Sequence, residues 1–293
     1  MTDTSTGTDV GPLLRIKKLV KQGLVTLGSQ HVQVSLLPTG IQALDALLGG
    51  GLPAGQITEV YGPYGTGKST IMYHVLVANA GLKRRSIGVS RPVYAAFVDT
   101  EGSYDADRLR ALGGEPDDIA KIQPDYGEQA MDFVLDVSKA RVKLVIIDSL
   151  RGLVPAKILS QSVEDDTVAA QARAFAKFFP RFVLMHRRPA LVCTNQVTSR
   201  IGVPAWADPY TTPGGHAIKH LAYLRLEVRR RGTMKLKDKP VGQEVVVRIT
   251  KSKYCAPMRD ATLFLMYDRG FVDESAWDAM RSRKGAKVEE EAK

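Results

Sequence analysis

The sequence predicts an α/β fold: a mostly parallel central sheet flanked by helices, with an antiparallel extension. Three observations carry this. Short continuous apolar runs, QITEVYG (56–62), PVYAAFVDT (92–100), KLVIIDS (143–149) and PALVCTNQV (189–197), alternate with helical segments. Strands covered on both faces read as unbroken apolar runs, and parallel strands need crossovers between them. A glycine-rich stretch, GPYGTGKS (62–69), lies between the first of these runs and a helix. After residue 214 the pattern changes to AYLRLEVRRR, GQEVVVRIT and DATLFLMY, which alternate more and are joined by short polar turns, as antiparallel strands are.

Along the chain, residues 1–11 are rich in Thr, Ser, Gly and Asp and read as disordered. Residues 12–22, PLLRIKKLVKQ, set Leu13, Leu14, Ile16, Leu19 and Val20 among basic residues and predict a short amphipathic helix. It reads either as packing on its own domain or as an arm docking on a neighbouring subunit. The helices that cross between strands are STIMYHVLVANA (69–80), GEQAMDFVLDVSKA (127–140) and TVAAQARAFAKFFPRFVLM (167–185), with Pro180 expected to break or kink the last. The expected organisation is a disordered start and short oligomerisation helix over 1–34, one large core over 35–275 and a charged, disordered tail over 276–293.

Composition sets the outer bounds. The chain has 293 residues, 44% hydrophobic and 25% charged, enough for a sizeable core. No apolar run approaches the roughly 18 residues of a membrane span, so no membrane partner is expected. The polar start MTDTSTGTDV has no signal-peptide pattern, and two cysteines, Cys193 and Cys255, make no disulfide framework. A reducing, cytoplasmic setting is expected. The net charge of +10 favours a polyanionic partner, because each neutralised phosphate releases a counterion.

The strongest signal is Gly62-Pro63-Tyr64-Gly65-Thr66-Gly67-Lys68-Ser69, followed by Thr70, which fits GxxxxGK[ST], the P-loop. Loop N–H groups and the start of the next helix would cradle phosphates, with glycines allowing close approach. Lys68 would reach the β- and γ-phosphates of ATP, and the Ser69 hydroxyl would ligate Mg2+. Asp148, ending KLVIIDS, reads by itself as a turn residue and, paired with the P-loop, as the carboxylate of the magnesium shell, acting through water. Glu101 follows the neighbouring strand and could orient water for in-line attack, while Asp99, earlier in that strand, suits bracing the loop.

With these segments in place the chain resembles the RecA/RadA recombinase family, from about Leu36 to Val272. LPTGIQALDALLGGGLPAGQITEVYGPYGTGKST, IQPDYGEQAMDFV, LVIIDSL, TNQV, TPGGHAIKHLAYLRLEVRRRG and KSKYCAPMRDATLFLMY follow in the family's order. The resemblance implies a RecA-like P-loop ATPase core. It implies that Glu101 is the catalytic glutamate and that Gln196 senses the γ-phosphate at the start of the second DNA loop. It implies that Lys251 and Lys253 reach a neighbouring subunit's ATP; alone, they would read as surface lysines. Arg108 matches the adenine-stacking arginine of archaeal and eukaryotic members. The DNA loops should be 155–167 and 197–213, the second with Arg200, Ile201, Gly202, Trp206 and Tyr210 and closed by Gly214 and Gly215. Its cation and aromatics suit single-strand binding, while Trp206 reads also as an anchor on the core.

The implied activity is ATP-dependent homologous recombination. The protein would polymerise as a helical homo-oligomer on single-stranded DNA and pair it with homologous double-stranded DNA. Two departures stand out: His220 replaces the phenylalanine of bacterial members, and Glu164, Asp165 and Asp166 in the first loop are not obvious DNA ligands. The family's larger carboxyl-terminal and helix-hairpin-helix domains have no counterpart in the sequence. The alternatives are a mediator paralogue with weak ATPase activity, which His220 would suit, or a ring-forming ATPase with the same core.

Overall fold

The computed structural model describes residues 11–22, 34–80, 95–140, 142–159, 167–199, 210–284 and 286–290. The chain divides into two units, Met1–Val34 and Ser35–Lys293. In the first, α1 (Pro12–Lys21) starts at a proline, which needs no N–H partner there, and carries Lys18 and Lys21 in its last turn. Leu14, Ile16 and Leu19 are exposed.

The second unit begins with β1 (Leu36–Leu37), α2 (Gln42–Leu48) and β2 (Leu52–Pro53), where β1 and β2 form an antiparallel pair. β3 (Ile57–Gly62) leads through the glycine loop into α3 (Lys68–Ala80). β4 (Ala95–Asp99), α4 (Ala106–Ala111), β5 (Ile119–Ile122), α5 (Gly127–Lys139) and β6 (Leu144–Asp148) follow. Then come α6 (Ala156–Leu159), α7 (Thr167–Val183), β7 (Ala190–Gln196) and the short pair β8 (Thr198–Ser199) and β9 (Tyr210–Thr211). The chain continues through α8 (Gly215–Leu221), β10 (Leu224–Leu236), β11 (Lys239–Ser252), β12 (Asp260–Met266), β13 (Gly270–Val272), α9 (Glu274–Lys284) and β14 (Ala286–Glu290).

The main sheet runs β13-β12-β11-β10-β3-β7-β6-β4-β5, with β14 added to β10. From β10 to β5 neighbours are parallel; β10 to β13 are antiparallel to one another. The fold class agrees with the expectation, with one refinement. β10 belongs to both halves, because Leu224–Glu227 pairs parallel with Thr58–Tyr61 of β3 before its full length pairs antiparallel with β11.

Strand periodicity places the two cores on opposite faces of the sheet. In β6, Leu144 and Ile146 join the core with α2 and α3, whereas Val145 and Ile147 join the core with α5, α7 and α8. β7 divides the same way, with Ala190 and Val192 on one side and Leu191 and Cys193 on the other. On α7, Phe175, Phe178, Phe179 and Phe182 are buried at helical spacing, worth roughly 2 kcal/mol each against exposure.

Two expectations are corrected here. Pro180 does not break α7, which continues to Val183, with the Leu184 N–H donating to the Pro180 carbonyl at 3.0 Å. Proline forfeits only the bond its N–H would make to the Ala176 carbonyl, and buried Phe178, Phe179 and Phe182 on either side hold the last turn in place. Residues from 276 onward do not all form a disordered tail. α9 buries Trp277 against Met234 and Met266, and β14 pairs antiparallel with Gly232–Leu236 of β10, an edge that β3 leaves free. Charge pattern hid one large apolar anchor and a strand addressed to an open edge. Among the described residues no helix is long and apolar enough to cross a membrane.

Candidate active site

Parallel strands whose loops leave at their carboxyl ends deliver side chains to one edge, and ligand crevices form there. β3, β4, β6 and β7 lie side by side in the order β3-β7-β6-β4. Their ends supply the loop 62–68, Glu101, Asp148 and Gln196. The result is a cavity of about 360 Å³ lined by Tyr64, Gly65, Thr66, Gly67, Lys68, Ser69, Thr70, Glu101, Arg108, Asp148 and Gln196. Ser149, Thr194, Gln243, Leu265 and Tyr267, which the sequence did not single out, complete it.

The loop is held open by its own chemistry. Gly67 has φ of +87°, and a Cβ there would come within 2.7 Å of Leu265 Cδ2, so backbone sign and space both require glycine. The Thr66 hydroxyl donates to the Pro63 carbonyl at 2.9 Å, and Gln243 Nε2 of β11 donates to the Gly65 carbonyl at 2.9 Å. Lys68 Nζ donates to the carbonyls of Gly62 (3.1 Å) and Pro63 (2.7 Å). Burial pushes its ammonium below the ordinary lysine range, against the attraction of Asp148 and Glu101. A buried cation short of full compensation suits a polyanionic ligand.

Asp148 is buried at the end of β6 and accepts from the hydroxyls of Thr194 and Ser69. Burial raises its carboxyl and these donors oppose the rise. Among the described residues no cluster of three or more His, Cys, Asp or Glu could hold a metal. A hydroxyl beside one carboxylate is instead a partial set of hard oxygen donors, which fits Mg2+ arriving with phosphates and water. Asp99 braces the next loop as expected, accepting from the N–H groups of Ser103 (2.9 Å) and Tyr104 (3.1 Å).

Glu101 lies at the cavity mouth. Its Oε1 accepts from the Ser149 hydroxyl at 2.5 Å and from Gln196 Nε2 at 3.4 Å. Arg151 Nη1 donates to Gln196 Oε1 at 3.0 Å. Arg108 Nη1, on α4, donates to the Tyr267 carbonyl at 3.2 Å, so a cation and an aromatic residue adjoin each other in the cavity lining. That geometry suits a planar ring.

The remaining candidates lie elsewhere. Lys251 Nζ donates to the carbonyls of Lys219 (2.7 Å) and His220 (2.8 Å), closing the carboxyl end of α8, and Lys253 Nζ stands over the Tyr223 ring, 5.7 Å from its centroid. Neither lines the cavity of its own subunit. Arg200, Ile201, Gly202 and Trp206 lie outside the described residues, as do Glu164, Asp165 and Asp166 of the first loop; of Tyr210 the strand pairing with Ser199 is described. Gly214 caps α8 with φ of +96°, and a Cβ there would meet Phe175 of α7 at 2.6 Å. A Cβ on Gly215 would meet Ala172 at 3.0 Å, so both glycines seat α8 on α7. Arg225 turns inward: its Nε donates to buried Glu59 at 2.6 Å, and its guanidinium lies over Tyr61.

Residues 13–272 match the RecA N-terminal domain. The chain is 34% identical over 274 residues to Protein RecA of Nitratidesulfovibrio vulgaris, covering 87% of this chain and 74% of that one. The chain belongs to the RecA family. Its likeness to Protein RecA of Salinispora tropica is 38% over 265 residues (89% and 73%), and to that of Campylobacter jejuni subsp. doylei 33% over 263 (88% and 74%). Membership makes this RecA-family chain an ATP-dependent recombination protein with DNA-dependent ATPase activity.

Proposed function

We propose that this RecA-family protein binds ATP and Mg2+ in the cavity, assembles as a helical filament on single-stranded DNA and pairs that strand with a homologous duplex. The observation that carries this reading is convergence: the glycine loop, Asp148, Glu101 and Gln196 come from four neighbouring strands and line one cavity. Lys68 and the loop N–H groups grip the β- and γ-phosphates. Ser69, with Asp148 acting through water, would hold Mg2+, which when bound offsets phosphate charge. Arg108 stacks on the adenine.

Glu101 orients a water for in-line attack on the γ-phosphate. Gln196 feels that phosphate and is the last residue of β7, so its position is passed directly to the loop 197–213. ATP and DNA thereby favour one state of the same segment, which is coupling by differential binding. Arg200, Ile201, Gly202, Trp206, Tyr210, Gly214 and Gly215 form the DNA-facing set, through phosphate contact and stacking. Lys251 and Lys253 reach the nucleotide of the adjoining subunit, and α1 docks on that subunit. Strand exchange is base pairing, so the protein holds the backbone and leaves base edges free.

Two substitutions test the assignment. Lys68→Ala is expected to abolish ATP-dependent binding to a single-stranded oligonucleotide; unchanged affinity refutes the P-loop role. Glu101→Gln is expected to keep ATP-dependent DNA binding while turnover falls by about 10²–10⁴-fold. Normal hydrolysis by that variant removes Glu101 from the chemistry.

A further inference from the structure

The amide of Gln196 has a donor end and an acceptor end, and two neighbours decide which faces where. A guanidinium has five N–H donors and no acceptor, so the end of Gln196 that meets Arg151 is the oxygen. An ionised carboxylate only accepts, so Glu101 takes the NH2 end. The distances, 3.0 Å from Arg151 Nη1 to Gln196 Oε1 and 3.4 Å from Gln196 Nε2 to Glu101 Oε1, follow this polarity. Rotating the amide by half a turn would set donor against donor and acceptor against acceptor.

The backbone that carries Arg151 is fixed to the same site. Arg151 lies in a single 3₁₀ turn, Leu150–Gly152, directly after β6. From α7, Gln171 Nε2 donates to the carbonyls of Leu150 (3.0 Å), Arg151 (3.2 Å) and Leu153 (3.2 Å). Thr100, the residue before Glu101, exchanges hydrogen bonds with Ser149: its Oγ1 accepts from the Ser149 N–H at 2.7 Å and donates to the Ser149 carbonyl at 2.7 Å. Gly152 lies so close to Thr100 that a Cβ would fall 2.4 Å from the hydroxyl. The turn is therefore registered against Glu101, while the guanidinium itself is exposed.

We infer that Arg151 is a positioning residue for the γ-phosphate sensor: it fixes the Gln196 amide with its NH2 end toward Glu101 and the cavity. This rests on the reading of Gln196 given under the proposed function. Arg151 follows β6, four residues before the loop 155–167, and Gln196 ends β7, one residue before the loop 197–213. Their hydrogen bond ties together the exits of two neighbouring strands, so the sensor is oriented from the side of one DNA loop and reports to the other.

The test is steady-state ATP hydrolysis with a saturating single-stranded oligonucleotide, for wild type, Arg151→Ala, Arg151→Lys, Gln196→Ala and the double variant Arg151→Ala/Gln196→Ala. Arg151→Ala is expected to lower kcat about tenfold, the scale of one charge-assisted hydrogen bond, with KM for ATP changed by less than about threefold. Arg151→Lys, which keeps a donor-only head, should regain part of the loss. In the Gln196→Ala background, Arg151→Ala should change kcat by less than about twofold, because its object is gone. An equal loss in both backgrounds, an unchanged kcat in the single variant, or a rise in KM alone overturns the inference. A wild type without DNA-stimulated turnover overturns the proposed function as well, which separates the two failures.

Discussion

His74, on α3 behind the glycine loop, links a single side chain to the pH range in which the site stands. Its Nε2 accepts from the Phe271 N–H at 3.0 Å, which needs a neutral ring, and burial pushes the imidazole down to about 4. The folded pKa lies below the unfolded value of about 6.5, so the unfolded chain binds more protons between them. Stability is full above that unfolded value and is lost as pH falls toward 4. Between pH 7 and 5 the loss should be about 2 kcal/mol, measured by urea unfolding. His74→Gln, which can still accept from Phe271, should flatten that slope; an equal slope in the variant removes His74 as its source. At this scale the cavity residues were legible when they end a buried strand in the sequence itself, as Asp148 and Gln196 do, or follow one within two residues, as Glu101 does. Thr194, Ser149, Gln243 and Arg151 were not, because their contacts depend on which strands lie side by side, and no spacing along the chain encodes that.

Between residue and fold, two elements carry measurable weight. The pair Glu59–Arg225 joins β3 to β10; Glu59 Oε1 also accepts from Asn195 Nδ2 at 2.8 Å, and Asn195 donates to the Pro213 carbonyl at 3.1 Å. Glu59→Ala strands a largely buried guanidinium and should cost about 3–5 kcal/mol in denaturant unfolding. Replacing both partners, as Glu59→Leu/Arg225→Met, should cost less than the single change; a larger cost would mean that the pair itself stabilises the fold. The second element is α9, where Trp277 stacks on Phe264 at 6.5 Å between centroids and packs on Met234 and Met266. Trp277→Ala should lower stability by about 3–5 kcal/mol, and a loss below about 1 kcal/mol would mean that α9 is not part of the cooperative unit. The parallel strands and crossover helices were legible as apolar runs alternating with helical segments. α9 and β14 were not, since a charged, low-complexity stretch conceals a strand whose pairing partner is fifty residues upstream.

At the level of the whole molecule, the sheet order fits the proposal that one nucleotide governs DNA binding. β3 and β7 are direct neighbours, so the glycine loop and the residue that leads into 197–213 leave the sheet side by side. The segment proposed as the first DNA loop follows β6, on the other flank of β7. Lys251 and Lys253 lie outside the cavity of their own subunit, as residues serving an adjoining one would, and α1 exposes Leu14, Ile16 and Leu19. The central claim is that ATP, Mg2+ and single-stranded DNA together assemble the protein into a helical polymer. Electron microscopy of the purified chain with a single-stranded oligonucleotide, Mg2+ and a slowly hydrolysed ATP analogue tests it most directly. Continuous helical filaments that vanish when the nucleotide is omitted are the expected result; closed rings, or isolated monomers under all conditions, would contradict it.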